Sequence, residues 1–418
     1  MSSRRRGAPA RSDGRPKALG PRRGVSDVGD IRGQRQSAGR QTPTRNPDEN
    51  GEPQALTATF WFDPGHSERP YSATVRFAGR HLGVTGMMSR KDEFVHDEII
   101  DQIVPKSGPV SISARIEGIN PGEWTVSGEL LTPEGDAHQR ERSGASARWR
   151  RRTLAPAIWS WPRWRLGTAP GTPVRTRFAP LTGFDRRSAV LPGSYTVMVM
   201  LGVIIGLLLQ HRLAPPEHVA QGPVLIASLL AVGAGLVGAK LWYLALHPRA
   251  WRDFGADGWC IQGFLVGASV VLVAATALMR LPLGSTLDAT APGLFLGMAV
   301  GRLGCFLTGC CAGRPTASRC GLWSSDRRVR ARRIPTQLFE SLGSAVIGIA
   351  AWLLVLYAHI AVPGVLFVAS FAAYTLLRQS LLPLRAAPRK TKVGASITAG
   401  LAATTLVAAV VVLAAGGR

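Results

Sequence analysis

The residues most able to do chemistry lie in one glycine-rich run that begins at Asp288 and ends at Thr316. Arg302 stands near its middle, beside Gly301 and Gly304, in a stretch apolar enough to cross a membrane. A mid-membrane arginine costs roughly 2.5 kcal/mol or more, so it should face a cavity, a lipid headgroup or a counter-charge. Its planar guanidinium suits a phosphodiester. The alternative is an arginine that snorkels to the interface beside glycines that only pack helices.

The cysteines form a second candidate cluster. All five lie between residues 260 and 320, and the glycine-rich run holds Cys305, Cys310 and Cys311. Because there is no Cys-x-x-Cys and no nearby His, we predict no metal ion and no cofactor. A disulfide on an oxidising face and small thiols that pack helices both remain open. A transient covalent role for Cys310 or Cys311 lacks a neighbouring base.

The elements that must position these residues are membrane spans. The mean hydropathy is +0.10 although the net charge is +24, so apolar and charged residues are segregated along the chain. Stretches of about 20 apolar residues match the ~30 Å hydrocarbon core of a bilayer, which excludes a single soluble domain. A channel or transporter lacks the paired intramembrane acids or repeat symmetry that it needs. We predict seven spans: 193–210, 220–246, 258–279, 286–307, 336–357, 361–381 and 393–415.

The N-terminal part differs in composition. Residues 1–52 are Arg-rich with few apolar groups and predict a disordered, solvated basic tail, with no nucleic acid partner. Residues 53–140 show period-2 alternation between Pro- and Gly-containing turns, which predicts an all-β immunoglobulin-like or fibronectin-like sandwich. Its histidines are isolated, so we expect a binding or spacer module that lipid chemistry does not require. Residues 141–190 mix Arg and Trp and predict a linker that approaches the membrane.

Four ordered motifs in the C-terminal half resemble those of the prolipoprotein diacylglyceryl transferases of bacterial membranes. The first is the run from Gly301 to Thr316. The others are Gly238-Ala-Lys-Leu-Trp-Tyr243 with the Gly263 to Gly267 run, Pro335-Thr-Gln-Leu-Phe-Glu340, and Tyr374-Thr-Leu-Leu-Arg378 followed by Arg385. The resemblance covers about residues 191–415 and extends to the number of spans.

This resemblance implies a multi-pass protein of the bacterial plasma membrane, in which residues 191–418 form a seven-helix transferase-like domain. It also implies a reaction in which a lipobox cysteine thiol of a lipoprotein precursor attacks phosphatidylglycerol and glycerol phosphate leaves. Arg302 and Arg378 match functional arginines of the family and are candidates to hold the phosphate, with Gln262 at a third catalytic position. The candidates for substrate binding are Gly301, Gly304, Cys305, Cys310, Tyr243, Arg385 and Asp288.

Several positions depart from the family pattern. Gln262 stands where many members have His, and Leu382 replaces an acid. Cys305 and Cys310 stand where many members have Asn and Glu, and in this respect the chain resembles a Cys-bearing variant of the family signature. These changes favour an alternative, a non-catalytic lipid-binding membrane anchor whose sandwich binds a partner. Orientation also has two interpretations, because the positive-inside rule puts the N-terminus in the cytoplasm whereas the family places it outside.

Overall fold

The computed structural model describes residues 53–65, 69–131, 152–154, 157–160, 165–168, 173–179, 181–182, 190–247, 258–386 and 393–416. The tail predicted for residues 1–52 lies outside these ranges.

Five strands form most of the N-terminal domain, and the all-β prediction is confirmed. They pair in antiparallel fashion within two sheets that enclose one core, in which Leu56, Phe77, Ile112 and Trp124 are fully buried. In the second and fifth strands alternate residues are buried, because successive side chains of a strand point to opposite faces. The strands are β1 (Gln54–Phe62), β2 (Tyr71–His81), β3 (Glu93–Ile103), β4 (Val110–Glu117) and β5 (Glu123–Leu131).

The segment predicted as a linker contributes strands of its own. Its described residues form β6 (Arg152–Leu154), β7 (Ala157–Ser160), β8 (Arg165–Thr168), β9 (Val174–Arg175) and β10 (Arg177–Phe178). β6 and β9 pair with β5, and β10 pairs with β1, whereas β7 and β8 pair with each other. The two main sheets therefore take strands from beyond residue 140.

Seven helices long and apolar enough to cross a membrane follow within the described residues, as predicted. They are α1 (Ser194–Leu213), α2 (Gln221–Leu246), α3 (Ile261–Leu278), α4 (Leu283–Thr308), α5 (Thr336–Tyr357), α6 (Val365–Leu381) and α7 (Val393–Gly416). If each helix crosses once, the start of α1, the end of α4 and the end of α6 lie at the same membrane face.

Glycines set how closely the helices approach. A Cβ built on Gly202 of α1 would lie 2.5 Å from the carbonyl oxygen of Gly297 of α4, and the reverse distance is also 2.5 Å. Gly238 of α2 and Gly263 of α3 face each other in the same way, at 2.4 Å and 2.2 Å. These glycines therefore allow backbone-to-backbone packing, the arrangement expected of small residues at helix interfaces in lipid.

A hairpin between α4 and α5 joins the membrane domain to the β domain. Its strands are β11 (Leu322–Ser325) and β12 (Val329–Arg333). β12 pairs with β4, so that one sheet has the order β10-β1-β4-β12-β11, and Val329 and Ala331 are buried in the β core. The β domain and the α4–α5 loop consequently lie at the same end of the helices.

Candidate functional site

A buried carboxylate, that of Glu340 on α5, forms the centre of the site. Only 1% of its side chain is exposed. Its Oε1 lies 2.8 Å from Nη2 of Arg302 and 3.1 Å from Nη1 of Arg378, and it accepts a hydrogen bond from the Tyr374 hydroxyl at 2.7 Å. Its Oε2 accepts from Nη2 of Arg385. Three arginines thus share one acid, and the formal charge of the four ionisable groups is three positive and one negative.

Different elements supply the three arginines. Arg302 projects from the last turns of α4, and Arg378 lies one turn after Tyr374 on the same face of α6, as expected for residues four apart in a helix. Arg385 follows a single 3₁₀ turn, Leu382–Leu384, that ends α6. Their exposures differ: 41% for the Arg378 side chain, 16% for Arg302 and 10% for Arg385. Arg378 is therefore the guanidinium most open to a ligand.

The first turn of α5 holds the loop that carries the cysteines. Nε2 of Gln337 donates to the carbonyl of Cys310 at 3.0 Å, and the Thr336 hydroxyl donates to the carbonyl of Cys311 at 3.3 Å. The Pro335-to-Glu340 motif thus combines two functions in one turn and a half of helix. Thr336 and Gln337 hold the loop through hydrogen bonds, and Glu340 forms ion pairs with the three arginines.

Three sulfur atoms lie beside Arg302. The Sγ atoms of Cys305, Cys310 and Cys311 are all within 4.8 Å of one another. Nη1 of Arg302 lies 3.8 Å from Sγ of Cys305 and 3.9 Å from Sγ of Cys311. Hydrogen bonds from the other two thiols, and the charges of Arg385 and Arg302, hold the pKa of Cys311 well below its usual range. A single guanidinium therefore joins the sulfur cluster to the acid–arginine cluster.

Asp288 lies away from this cluster. It is fully buried, and its carboxylate accepts from the backbone N–H groups of Gly364 at 2.5 Å and Phe367 at 2.8 Å, which caps the start of α6. Asp288 and Arg302 stand near opposite ends of α4, roughly 21 Å apart along the axis. The structure therefore does not bring Asp288 to the arginines.

The remaining predicted residues have other neighbours. Gln262, exposed at the start of α3, accepts a hydrogen bond from the Cys260 thiol at 2.6 Å. Tyr243, in the last turn of α2, stacks on His247. Gly304 packs on α1, since a Cβ there would lie 2.9 Å from the Cβ of Met198. Gly301 has more room, since a Cβ built there would lie 4.0 Å from its nearest neighbour, Cγ2 of Val199.

Continuous backbone pairing links the β domain to Arg385. Beyond β12, Ile334 donates to the carbonyl of Arg314 at 3.0 Å, and Arg314 donates to Leu384 at 2.9 Å. Gly313 and Arg385 form an antiparallel bridge. The segment that follows the cysteines is thus held between the end of the hairpin and the chain that carries Arg385. The β domain, through β4 and β12, supports one wall of the site.

Glu340 and Tyr374 are site residues that the sequence analysis named only as parts of motifs, and Cys311 was considered only for a transient covalent role. Glu340 was visible as an acid inside an apolar span, where an ionisable group is a functional candidate by default. Tyr374 was visible only as part of a motif. The sequence does not show that Cys311 joins the sulfur cluster and Cys320 does not, because this depends on the turn after α4.

Comparison with known proteins gives a consistent result. A family model described as prolipoprotein diacylglyceryl transferase matches residues 192–416. A phosphatidylglycerol–prolipoprotein diacylglyceryl transferase of Dehalococcoides mccartyi is 32% identical over 158 residues, 35% of this chain and 60% of the relative. One of Streptomyces coelicolor, numbered 2, is 32% identical over 222 residues, 48% of this chain and 68% of the relative. The chain thus spans less than two thirds of the Dehalococcoides protein that it matches.

Proposed function

Because the chain belongs to the prolipoprotein diacylglyceryl transferase family and is a multi-pass membrane protein, we propose that it transfers a diacylglyceryl group from phosphatidylglycerol to the lipobox cysteine of a lipoprotein precursor. The bacterial plasma membrane is the compartment that this reaction requires. The acid–arginine cluster around Glu340 is the observation that carries the proposal.

The charge of that cluster suits an anionic lipid headgroup. Three guanidinium groups around one carboxylate leave an excess of two positive charges, and Arg302 and Arg385 of the three are largely buried. Phosphatidylglycerol carries one negative charge on its phosphodiester. Arg378, the most exposed of the three, is the arginine best placed to accept the phosphate, whereas Arg385 is nine-tenths buried and fixes Glu340.

The same excess charge favours the reaction. When the acceptor sulfur bonds to the glyceryl carbon, the carbon–oxygen bond to phosphate breaks and its electron pair stays on the oxygen. The phosphate then changes from a monoanionic diester to a more negative monoester. Cations fixed beforehand stabilise this developing charge more than they stabilise the substrate, which lowers the barrier.

Gln262 cannot supply a base, because an amide does not take up a proton near neutral pH. Its observed hydrogen bond is to Cys260, at the start of α3. The acceptor must therefore be activated by another group.

The test is transfer of labelled diacylglycerol from phosphatidylglycerol vesicles to a lipobox peptide by the reconstituted full chain. Arg378→Ala should lower the rate by about 30-fold or more, the effect of removing one charge-assisted contact to the leaving group. Arg212→Ala is the matched control, since Arg212 is an exposed arginine at the opposite end of the helices. It should leave the rate within about two-fold.

Two results would contradict the proposal. Equal rates for wild type and Arg378→Ala would remove the arginine cluster from the reaction. No transfer by the wild-type protein, together with retained binding to phosphatidylglycerol vesicles, would support the non-catalytic anchor instead.

A further inference from the structure

The three sulfur atoms next to Arg302 form a convergent site with graded exposure. Cys305 is buried in the last turns of α4, Cys310 is half-buried and Cys311 is exposed. A site of this shape is closed on the helix side and open on the loop side. The sequence does not reveal this site, because four residues separate Cys305 from Cys310, whereas two separate the cysteines of a Cys-x-x-Cys metal motif.

Backbone geometry brings the sulfurs together. Gly309 ends α4 in the left-handed region at φ 67°, and the Cys310 N–H donates to the Cys305 carbonyl at 3.1 Å. Cys311 also has a positive φ, 54°, which is uncommon for a residue other than glycine and is kept only where the surroundings enforce it. The hydrogen bonds from Thr336 and Gln337 to the two cysteine carbonyls provide that enforcement.

Two of the sulfurs have a hydrogen-bond donor beside them, because Arg302 approaches Cys305 and Cys311. The Thr308 hydroxyl, 3.7 Å from Sγ of Cys310, donates to the Gly304 carbonyl at 2.8 Å. Donors of this kind stabilise thiolates and fix their orientation around a metal ion. Three thiolates in mutual contact need a positive charge between them, and thiolates select soft or borderline cations.

We propose that Cys305, Cys310 and Cys311 bind one Zn²⁺ ion through three thiolates and leave the fourth tetrahedral position, on the exposed side of Cys311, for the acceptor thiol. Three protein ligands and one open position are the arrangement of catalytic zinc. Zn–S bonds of ~2.3 Å place sulfur atoms about 3.8 Å apart in a tetrahedron, so the cluster needs a contraction of at most about 1 Å. The role of the fourth position rests on the proposed function, whereas zinc binding itself does not.

The position of the cluster matches this chemistry. Arg302 touches the sulfurs with Nη1 and Glu340 with Nη2, so the two sites are one guanidinium apart. A thiol bound to zinc loses its proton to water and becomes a thiolate without a neighbouring base. Its sulfur then attacks the glyceryl carbon, the sulfur–carbon bond forms, and the carbon–oxygen bond breaks with its electron pair on the phosphate. No atom is oxidised or reduced, and the zinc–cysteine bonds are unchanged at the end.

The experiment measures zinc and thiol binding separately from transfer. The full chain is purified in detergent under reducing conditions, loaded with Zn²⁺, freed of excess metal and analysed for metal content. We expect about one Zn²⁺ per chain for wild type and for the control Cys320→Ser, and less than about a tenth of that for Cys305→Ser with Cys310→Ser and Cys311→Ser combined. Cys320 is an exposed cysteine of the same loop that lies outside the cluster, and thermal unfolding shows whether each variant is folded.

Replacement by Co²⁺ tests the open position. The sulfur-to-cobalt absorption band of the loaded chain should change when a lipobox peptide is added, and should not change with the peptide whose cysteine is replaced by serine. Failure of the wild type to bind Zn²⁺, equal zinc in the triple variant, or a preference for Cu⁺, which three thiolates satisfy without a fourth ligand, would overturn the inference.

The outcomes for the two proposals are distinct. Full transfer by a zinc-free chain would overturn the role of the fourth zinc position in transfer and leave the transferase function intact. Stoichiometric zinc with a peptide-dependent cobalt band, but no transfer, would support the metal site and contradict the proposed function.

Discussion

Glu340→Gln replaces a buried carboxylate with an amide of the same shape and leaves three guanidinium groups around a neutral side chain. Removal of one partner from a buried ion pair typically costs about 3–5 kcal/mol, because the remaining charge is desolvated without compensation. Here the lower end applies, about 3 kcal/mol, since 41% of the Arg378 side chain is exposed and solvent screens it. The expected loss is in the free energy of unfolding.

Asp288→Asn is the matched control. Asp288 is as deeply buried as Glu340, but it accepts from backbone N–H groups rather than from arginines. An amide oxygen still accepts one of these two bonds, so the expected cost is only about 1–2 kcal/mol. Denaturant unfolding of both variants in the same mixed micelles measures the difference.

The same two variants separate stability from function. Glu340→Gln raises the net charge of the cluster, so binding to phosphatidylglycerol vesicles should persist, whereas transfer should fall at least about ten-fold because the arginines lose their common anchor. Asp288→Asn should retain transfer within about two-fold, since it lies at the far end of α4. A Glu340→Gln protein that is as stable and as active as wild type would refute the assignment of Glu340 as the centre of the site.

Further perturbations test other parts of the structure. Arg302→Lys should reduce transfer nearly as much as Arg302→Ala, because an ammonium cannot contact the sulfurs and Glu340 together. The expected loss is roughly 30- to 1,000-fold, or about 2–4 kcal/mol, in the steady-state rate measured at matched expression. Gly297→Ala should destabilise the helices by about 1–3 kcal/mol through its clash with α1, whereas Gly233→Ala, with open space around it, should be neutral or stabilising in the same unfolding assay. Deletion of residues 53–182 should lower transfer at least about ten-fold even when the protein inserts normally in the membrane, whereas deletion of residues 1–50 should not. Hydrogen bonds from Ser89 and Asn120 depress the pKa of Asp92, so its contribution to stability is present above about pH 4 and is lost as the pH falls further; thermal unfolding of Asp92→Asn should lack this part of the pH dependence.

The membrane helices could be predicted from the sequence because lipid imposes a simple rule. About 20 apolar residues without charge must form a helix, and the predicted spans differ from the observed ones by only a few residues at each end. The strands β1, β2, β4 and β5 were visible for a similar reason, since apolar residues recur at every second position in their sequences.

Other elements had no such signal. β3 is rich in charge, with His96, Asp97 and Glu98 in succession, and it is mostly exposed at the edge of its sheet. The hairpin of β11 and β12 carries five arginines between Arg327 and Arg333, so its composition gave no sign that Val329 and Ala331 complete the β core. Pairing between distant segments depends on tertiary context that a local pattern does not contain.

This pairing alters the expectation that the β domain is dispensable. That expectation rested on histidines that look isolated in the sequence, but in the structure His81 lies 2.9 Å from the Asp92 carboxylate, which also accepts a hydrogen bond from Ser89 at 2.7 Å. Arg328 of the hairpin turn donates to Glu98 at 2.8 Å and to the carbonyl of Ile99 at 2.7 Å, so the loop contacts both sheets. Without the β domain the loop would lose these bonds and its partner strand, and the cysteines and Arg385 would lose their support. The domain is therefore expected to position the site.

The departures from the family pattern become consistent when they are considered together. By the resemblance to the family, Gln262 stands where many members have a base and Leu382 stands in place of an acid, so these two positions cannot transfer a proton. Cys305 and Cys310 stand where many members have an amide and an acid, and each places a sulfur beside Arg302 or Cys311. The changes that remove acid–base groups thus coincide with the changes that create a three-sulfur site. With zinc bound as proposed, the acceptor thiolate needs no base, and it forms one guanidinium away from the arginines proposed to stabilise the departing phosphate. The proposal therefore treats the substitutions as an exchange of one means of thiol activation for another, with Arg302, Arg378 and Arg385 in place around Glu340.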